Sequence, residues 1–259
     1  MRQGLLGLAA AAFAIIAARP AAAAEFTALY SAYWAGLSAG QIRLSLAEGG
    51  SGYRDSIEIR TVGLPGLLTH FRTSAQAAGR IVAGAPADPE RYDALYDLRK
   101  RRGRHISMRF VRHDGAVVAV RGPGDSSHQK ILAESFRRNV VDPLSALERI
   151  RQALAEARRA HRDRFRVPVY DGKRRFDIVG QVEPGGKPGV IEVALVLHPI
   201  AGFKKKPGNR DPEDAPRPVA LKITDDARLM PLSITVTVFY LPLVVQFERL
   251  CATPDACKG

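Results

Sequence analysis

A chain of 259 residues with 39 Lys and Arg against 26 Asp and Glu has a formal net charge of +13 and enough length to bury a sizeable core without staples. That length suits one large all-β domain as well as two small ones. It shows no internal repeat, no long Gly/Ser linker and no second apolar span, which excludes a repeat array, two domains on a flexible tether and a helical membrane bundle.

The chain opens as an export signal. Arg2 supplies a positive n-region, Leu5–Ala18 is an apolar run of h-region length, and Ala22-Ala23-Ala24 meets the small-x-small cleavage rule. The run is too short to span a bilayer, and Arg19-Pro20 interrupts it. The expectation is a cleaved signal peptide over residues 1–24 and a single β-rich domain over residues 25–259. No Cys follows the h-region to carry a lipid anchor. Removing Met1–Ala24 takes away Arg2 and Arg19 and no acid, so the charge falls from +13 to +11 over 235 residues. The expected compartment is the periplasm.

From Phe26 onward, short alternating segments follow one another. Phe26–Trp34, Gln41–Leu46, Tyr53–Val62, Phe71–Val82, Tyr92–Arg99, His105–Arg112 and Ala116–Val120 read as strands, with Gly49-Gly50 and Asp114-Gly115 as hairpin turns. Val140–Ala160 then changes period. Asp142 can cap the first turn, Pro143 suits the first helical position, and Leu144, Leu147, Ile150, Leu154 and Ala157 fall on one face. Glu148, Arg149, Arg151, Gln152, Arg158 and Arg159 lie off that stripe and are expected in solvent. Beyond the helix, Phe165–Tyr170, Arg175–Val182, Val190–Leu197, Val219–Ile223, Leu232–Phe239 and Leu243–Leu250 alternate again. Lys204–Pro218 is a polar, Pro-rich loop.

The pattern predicts a mainly β fold: a large antiparallel curled sheet or half-open β-barrel of about a dozen strands, with one main amphipathic helix packed on it. Curling is expected because an open sheet this wide would expose long edges. Cys251 and Cys257 form an even pair in an exported chain and are expected to bridge, pinning the C-terminus after the last strand.

Several stretches resemble an uncharacterised family of exported bacterial proteins, the domain-of-unknown-function 3108 family. The resemblance is carried by Tyr33-Trp34-Ala35-Gly36-Leu37-Ser38-Ala39-Gly40, Pro89-Glu90-Arg91-Tyr92, Asp142-Pro143-Leu144-Ser145-Ala146-Leu147, Val169-Tyr170-Asp171-Gly172-Lys173, and Asp225-Asp226 followed by Leu229-Met230-Pro231. It implies a periplasmic β-rich fold, similar in shape to the half-open barrels of lipoprotein carriers. It brings no catalytic residue with it.

Motifs for chemistry are weak. Gly36-Leu37-Ser38-Ala39-Gly40 matches the nucleophile-elbow pattern, but a strand pattern follows where the elbow needs a helix, so a hairpin turn is the better reading. His70, His105, His113, His128, His161 and His198 form no metal-ligand spacing, and no phosphate-binding glycine loop is present. Asp225-Asp226 sit side by side, which suits a turn better than paired acid–base carboxylates. No metal, cofactor or catalytic residue is assigned.

Charge is the stronger hint. Basic clusters occur at Arg99-Lys100-Arg101-Arg102-Gly103-Arg104, Arg158-Arg159, Arg162–Arg166, Lys173-Arg174-Arg175 and Lys204-Lys205-Lys206. In an exported chain these favour anionic envelope components over nucleic acid. Arg99, Lys100, Arg101, Arg102, Lys173 and Arg174 are the candidate anion contacts. Trp34, Phe71, Tyr92, Tyr96, Met108 and Phe110 fall on strands able to face a barrel interior. Of these, Trp34, Phe71, Tyr96, Met108 and Phe110 are the candidate ligand-lining residues.

The leading expectation is a periplasmic, non-enzymatic barrel binding an amphiphilic or anionic cell-envelope component. The alternatives are an envelope scaffold using its basic surface on an acidic partner protein, and an envelope glycan or lipid hydrolase.

Overall fold

The structure is a computed structural model and describes residues 24–63, 71–82, 84–98, 101–126, 130–204, 214–238, 240–252 and 254–257. The expected signal peptide falls outside these residues apart from Ala24, with which the first strand opens.

Each alternating segment of the sequence is a strand. They are β1 (Ala24–Trp34), β2 (Leu37–Gly49), β3 (Gly52–Thr61), β4 (Arg72–Arg80), β5 (Asp88–Leu98), β6 (Arg101–His113) and β7 (Ala116–Arg121), then β8 (Arg164–Tyr170), β9 (Arg175–Val182), β10 (Val190–Ala201), β11 (Arg217–Thr224), β12 (Pro231–Val238) and β13 (Leu241–Cys251). The helix α1 spans Ser145–Ala160. All thirteen strands form one antiparallel sheet in the order β7-β6-β5-β4-β3-β2-β1-β13-β12-β11-β10-β9-β8. Two meanders, β1–β7 and β8–β13, are thus joined where β1 pairs with β13, with Tyr30 opposite Phe247.

The sheet curls until its outer strands approach each other, and the link between β7 and α1 fills the gap. Arg137 and Asn139 exchange backbone hydrogen bonds with Ala119 and Val117 of β7. The chain then turns at Asn139, whose φ is 51°, and Val141 bonds Pro168 and Tyr170 across β8. This short clasp makes a nearly closed barrel and covers two edges that would otherwise be unpaired.

The hairpins β2–β3, β4–β5, β6–β7, β9–β10 and β11–β12 all turn at one end of the barrel, here the near end. α1 lies across it. Its first turn is inside, where Asp142 accepts backbone N–H bonds from Leu144 and Ser145 at 3.0 and 2.8 Å. Its last turn emerges into solvent and stops at His161, in the left-handed conformation with φ 50°.

Leu144, Ile150, Leu154 and Ala157 are buried, with Leu147 half-buried. The helix divides the interior. Leu144 packs with Leu46, Tyr53, Tyr92 and Met108 on the β1–β7 side. Ala146, Ile150 and Leu154 pack with Val169, Val193, Leu221 and Ile223 on the β8–β13 side.

One expectation is corrected. Glu148 and Arg151, predicted to be in solvent, are 1% and 7% exposed. The helix is sunk into the barrel mouth, so the β2–β3 hairpin and the β11–β12 turn cover a second face of it. Arg151 bridges Glu148 at 2.6 Å, pairs with Glu48, and donates to the Arg228 carbonyl.

The sequence-predicted bridge joins Cys251 to Cys257 with a Cα–Cα separation of 5.6 Å. It holds the short 3-10 turn Pro254–Cys257 against the outer face of β1. Gly36 lies in the tight β1–β2 turn with φ 80°, and Ser38 sits on β2 opposite Tyr33, so Ser38 is not on a strand-to-helix elbow. Asp226 closes the β11–β12 turn by accepting from the backbone of Arg228 and Leu229.

Candidate functional site

The inward faces of the strands are not buried evenly. On β11, Ile223 and Leu221 beside α1 are buried, while Val219 further along the same face is half-buried. On β10 the same step separates Val193 and Leu195 from Leu197. On β2 it separates Leu46 and Leu44 from Ile42, and on β3 it separates Tyr53 and Asp55 from Ile57 and Ile59. The barrel is therefore packed solid around the helix and opens toward its far end. An inward apolar side chain that stays wet has hydrophobic free energy, about 25 cal/mol per Å², still to be gained.

Basic groups stand at that mouth. A pocket of about 270 Å³ is lined by Tyr96, Arg104, Ile106, Asp171, Lys173 and Arg174. A second, of about 230 Å³, is lined by Arg174, Phe176, Leu197, Pro199, Phe203 and Arg217, among others. Arg174 borders both. Asp171 holds it by accepting from its Nε at 2.8 Å, and its guanidinium lies 5.5 Å from the centre of the Phe203 ring.

Arg104 sits opposite Tyr96 on the inward face of β6, and its Nε is buried without a hydrogen-bond partner among the described residues. A buried guanidinium N–H with no acceptor is an unmet demand for an anion or a polar ligand atom. Apolar residues also stand on the far rim: Leu37, Tyr240 and Leu241 at the β1–β2 and β12–β13 tips are 57%, 64% and 41% exposed.

The sequence-derived candidates divide by position. Tyr96, Lys173 and Arg174 meet in the first pocket. Met108 is buried in the core beneath the β8–β9 turn, and Phe110 is half-buried against the same cluster. Trp34 is half-buried near the far end of β1, its indole N–H donating to the Val238 carbonyl at 3.2 Å. Phe71, half-buried, precedes β4 and accepts a backbone bond from Thr61. Arg99 and Lys100 lie outside the described residues, and Arg101 and Arg102 open β6. Arg104 closes that basic run and was not among the candidates; its inward register with Ile106 and Met108 is the signal that could have found it.

A second polar cluster lies at the helix–sheet junction. Asp55, Asp142 and Ser145 have no solvent exposure, and neither oxygen of Asp55 has a hydrogen-bond partner. Burial pushes the Asp55 carboxyl up to about 8, with Glu148 adding to the rise and Arg151 opposing it. Burial likewise raises Glu148 to about 7 against the pull of Arg151, and Asp142 to about 6 against the bonds it accepts. Those three acids are sealed from solvent at the helix–sheet junction, away from the open half of the barrel. Among the described residues no three His, Cys, Asp or Glu side chains are placed to hold a metal ion, and no helix is long and apolar enough to cross a membrane.

Comparison with known proteins places this geometry. Residues 29–240 match the family described as Protein of unknown function (DUF3108). The chain belongs to that family. A search of the curated proteins finds none that matches. Among solved structures, a crystal structure of a beta-barrel-like protein of domain of unknown function DUF1849 from Brucella abortus is similar, with a TM-score of 0.55 at 13% identity over 87% of this chain and 96% of that one. At that identity the likeness is one of fold: the two chains share a barrel-like architecture.

Proposed function

We propose that this DUF3108 protein is an exported, non-enzymatic barrel that holds an amphiphile, with its apolar part in the open half of the interior and its anionic group at Arg104, Lys173 and Arg174. The supporting observation is the graded burial of β2, β3, β10 and β11, which leaves apolar side chains wet beside a buried, unpartnered guanidinium nitrogen. The apolar tips Leu37, Tyr240 and Leu241 give such a molecule a greasy approach to the mouth. Export, in this reading, places the basic rim among anionic envelope lipids.

Titration of the purified protein with an anionic single-chain lipid, and with a zwitterionic lipid of the same chain, tests the assignment. The anionic lipid should bind more tightly. Ile57→Trp, which fills the cup, should weaken both, and Arg104→Ala should weaken the anionic lipid about tenfold while sparing the other. Equal binding by wild type and Ile57→Trp would remove the cup. The export assignment is read separately: N-terminal sequencing of protein from its own host should begin at Glu25.

A further inference from the structure

The near end carries a second site, independent of the cup. Between α1, the β4–β5 connection and β8 runs a groove of about 780 Å³. Five arginines line it: Arg149 and Arg159 from α1, Arg162 just after the helix, and Arg164 and Arg166 from β8. Its single lining carboxylate is Glu156. Arg166 is paired with Asp177. Among the described residues Arg149, Arg159, Arg162 and Arg164 have no carboxylate within ion-pair distance, so four arginines without an ion-pair partner line one space.

The groove is built rather than incidental. Ala87, fully buried between β4 and β5, has both backbone groups held by the helix: its carbonyl accepts from Arg149 Nε at 2.6 Å, and its N–H donates to Gln152 Oε1 at 2.6 Å. This pair of hydrogen bonds to one residue locks the loop wall against α1 and fixes where the Arg149 guanidinium stands. Arg149 is half-buried, and loss of water lowers its pKa against the opposing pull of Tyr53 and Asp88, so its charge is short of solvent and has no carboxylate in ion-pair contact. Leaving a positive group desolvated and unpaired is costly, and an anion in the groove relieves it. Clustered, planar donors, one of them held in place, suit tetrahedral oxyanions, which take paired N–H bonds from Arg. The apolar floor formed by Ile81, Phe165 and Val167 leaves room for a carbon framework beside the charges.

We infer that this groove binds a ligand bearing two or more phosphate groups, held by Arg149, Arg159, Arg162 and Arg164. One carboxylate would satisfy one guanidinium; four spaced along a groove of this size call for several negative charges on one molecule.

The test is calorimetric titration of the full mature chain with tripolyphosphate, in chloride buffer held at constant ionic strength, with inorganic phosphate as the monovalent control. Tripolyphosphate should bind, and inorganic phosphate, which carries a single phosphate group and up to two charges, should bind far more weakly. The exposed pair Arg159→Ala/Arg164→Ala, which breaks no internal bond, should lose about tenfold or more in affinity, and Arg104→Ala at the other end should lose none. Flotation with vesicles containing a bisphosphorylated lipid then separates the sources: co-flotation abolished by the double variant identifies a lipid headgroup, and tripolyphosphate binding without co-flotation identifies a soluble polyphosphate. Wild-type binding no stronger than that of the double variant would overturn the site. Loss of amphiphile binding by Arg104→Ala with tripolyphosphate binding retained would show that the two sites stand apart.

Discussion

The Tyr53 phenol donates to the Ser145 hydroxyl at 2.7 Å, and Ser145 in turn donates to Asp142 at 2.5 Å. This relay ties the start of β3 to the first turn of α1, with Tyr53 and Ser145 both in the sealed interior. Asp142→Ala removes two backbone caps and the end of the relay together. It should cost about 2 kcal/mol or more in urea unfolding, whereas Asp142→Asn, which keeps a cap acceptor, should cost about half as much. Equal losses would mean that the charge, not the cap, is what matters.

The buried acids make stability depend on pH with a definite sign. Asp55 and Glu148 rise to about 8 and about 7 in the folded chain, above their ordinary carboxylate values, so the folded state binds protons that the unfolded state has released. Their contribution is complete below about pH 4 and is lost as pH rises toward 8, at up to about 1.4 kcal/mol per pH unit for each group. Thermal melts should therefore show a falling Tm from pH 5 to pH 9. Asp55→Asn should flatten that slope and leave the variant the more stable protein at pH 9. A Tm that climbs over this interval would contradict the burial of these groups.

Gly180 of β9 lies against the Phe165 ring, in the space that a Cβ would occupy. Gly180→Ala forces the ring off its seat and should destabilise by about 1–3 kcal/mol. Pairing it with Phe165→Leu should recover part of the loss, and denaturant midpoints for the single and double variants measure the coupling.

The bridge between Cys251 and Cys257 closes a loop so short that it restricts the unfolded chain only a little. Replacing both by Ser should cost about 2 kcal/mol. The change should spare the barrel core, because the turn it fastens packs outside β1. Near-UV circular dichroism, together with the unfolding midpoint, distinguishes that local release from a general loosening.

The sequence carried the wall of this protein well. Strict alternation in stretches such as Ile191–Leu197, and turn pairs such as Asp114-Gly115, report a period of two directly, and each predicted strand exists. The cover on Glu148 and Arg151 could not be read that way. A helical wheel supposes one buried face, and only the three-dimensional sinking of α1 into the barrel closes the second. Asp55 left a trace: it shares the inward register of Tyr53, Ile57 and Ile59, and a lone acid on an apolar face marks a buried titratable group. The arginine groove showed in part, as the basic runs Arg158-Arg159 and Arg162–Arg166, but that Arg149 joins them in one space left no signal, because helix and strand are brought together by the fold itself. Nor did the clasp at Arg137–Val141, which has no period to detect.

That clasp gives the wall a line of least resistance. Twelve ladders run the length of their strands, whereas the join between β7 and β8 rests on four main-chain bonds through residues 137–141. A spread at that point would widen the bore without unzipping any ladder, and its displacement would pass straight into α1, whose first turn begins just beyond Val141. The circumference of the barrel and the seating of its plug are thus one mechanical variable.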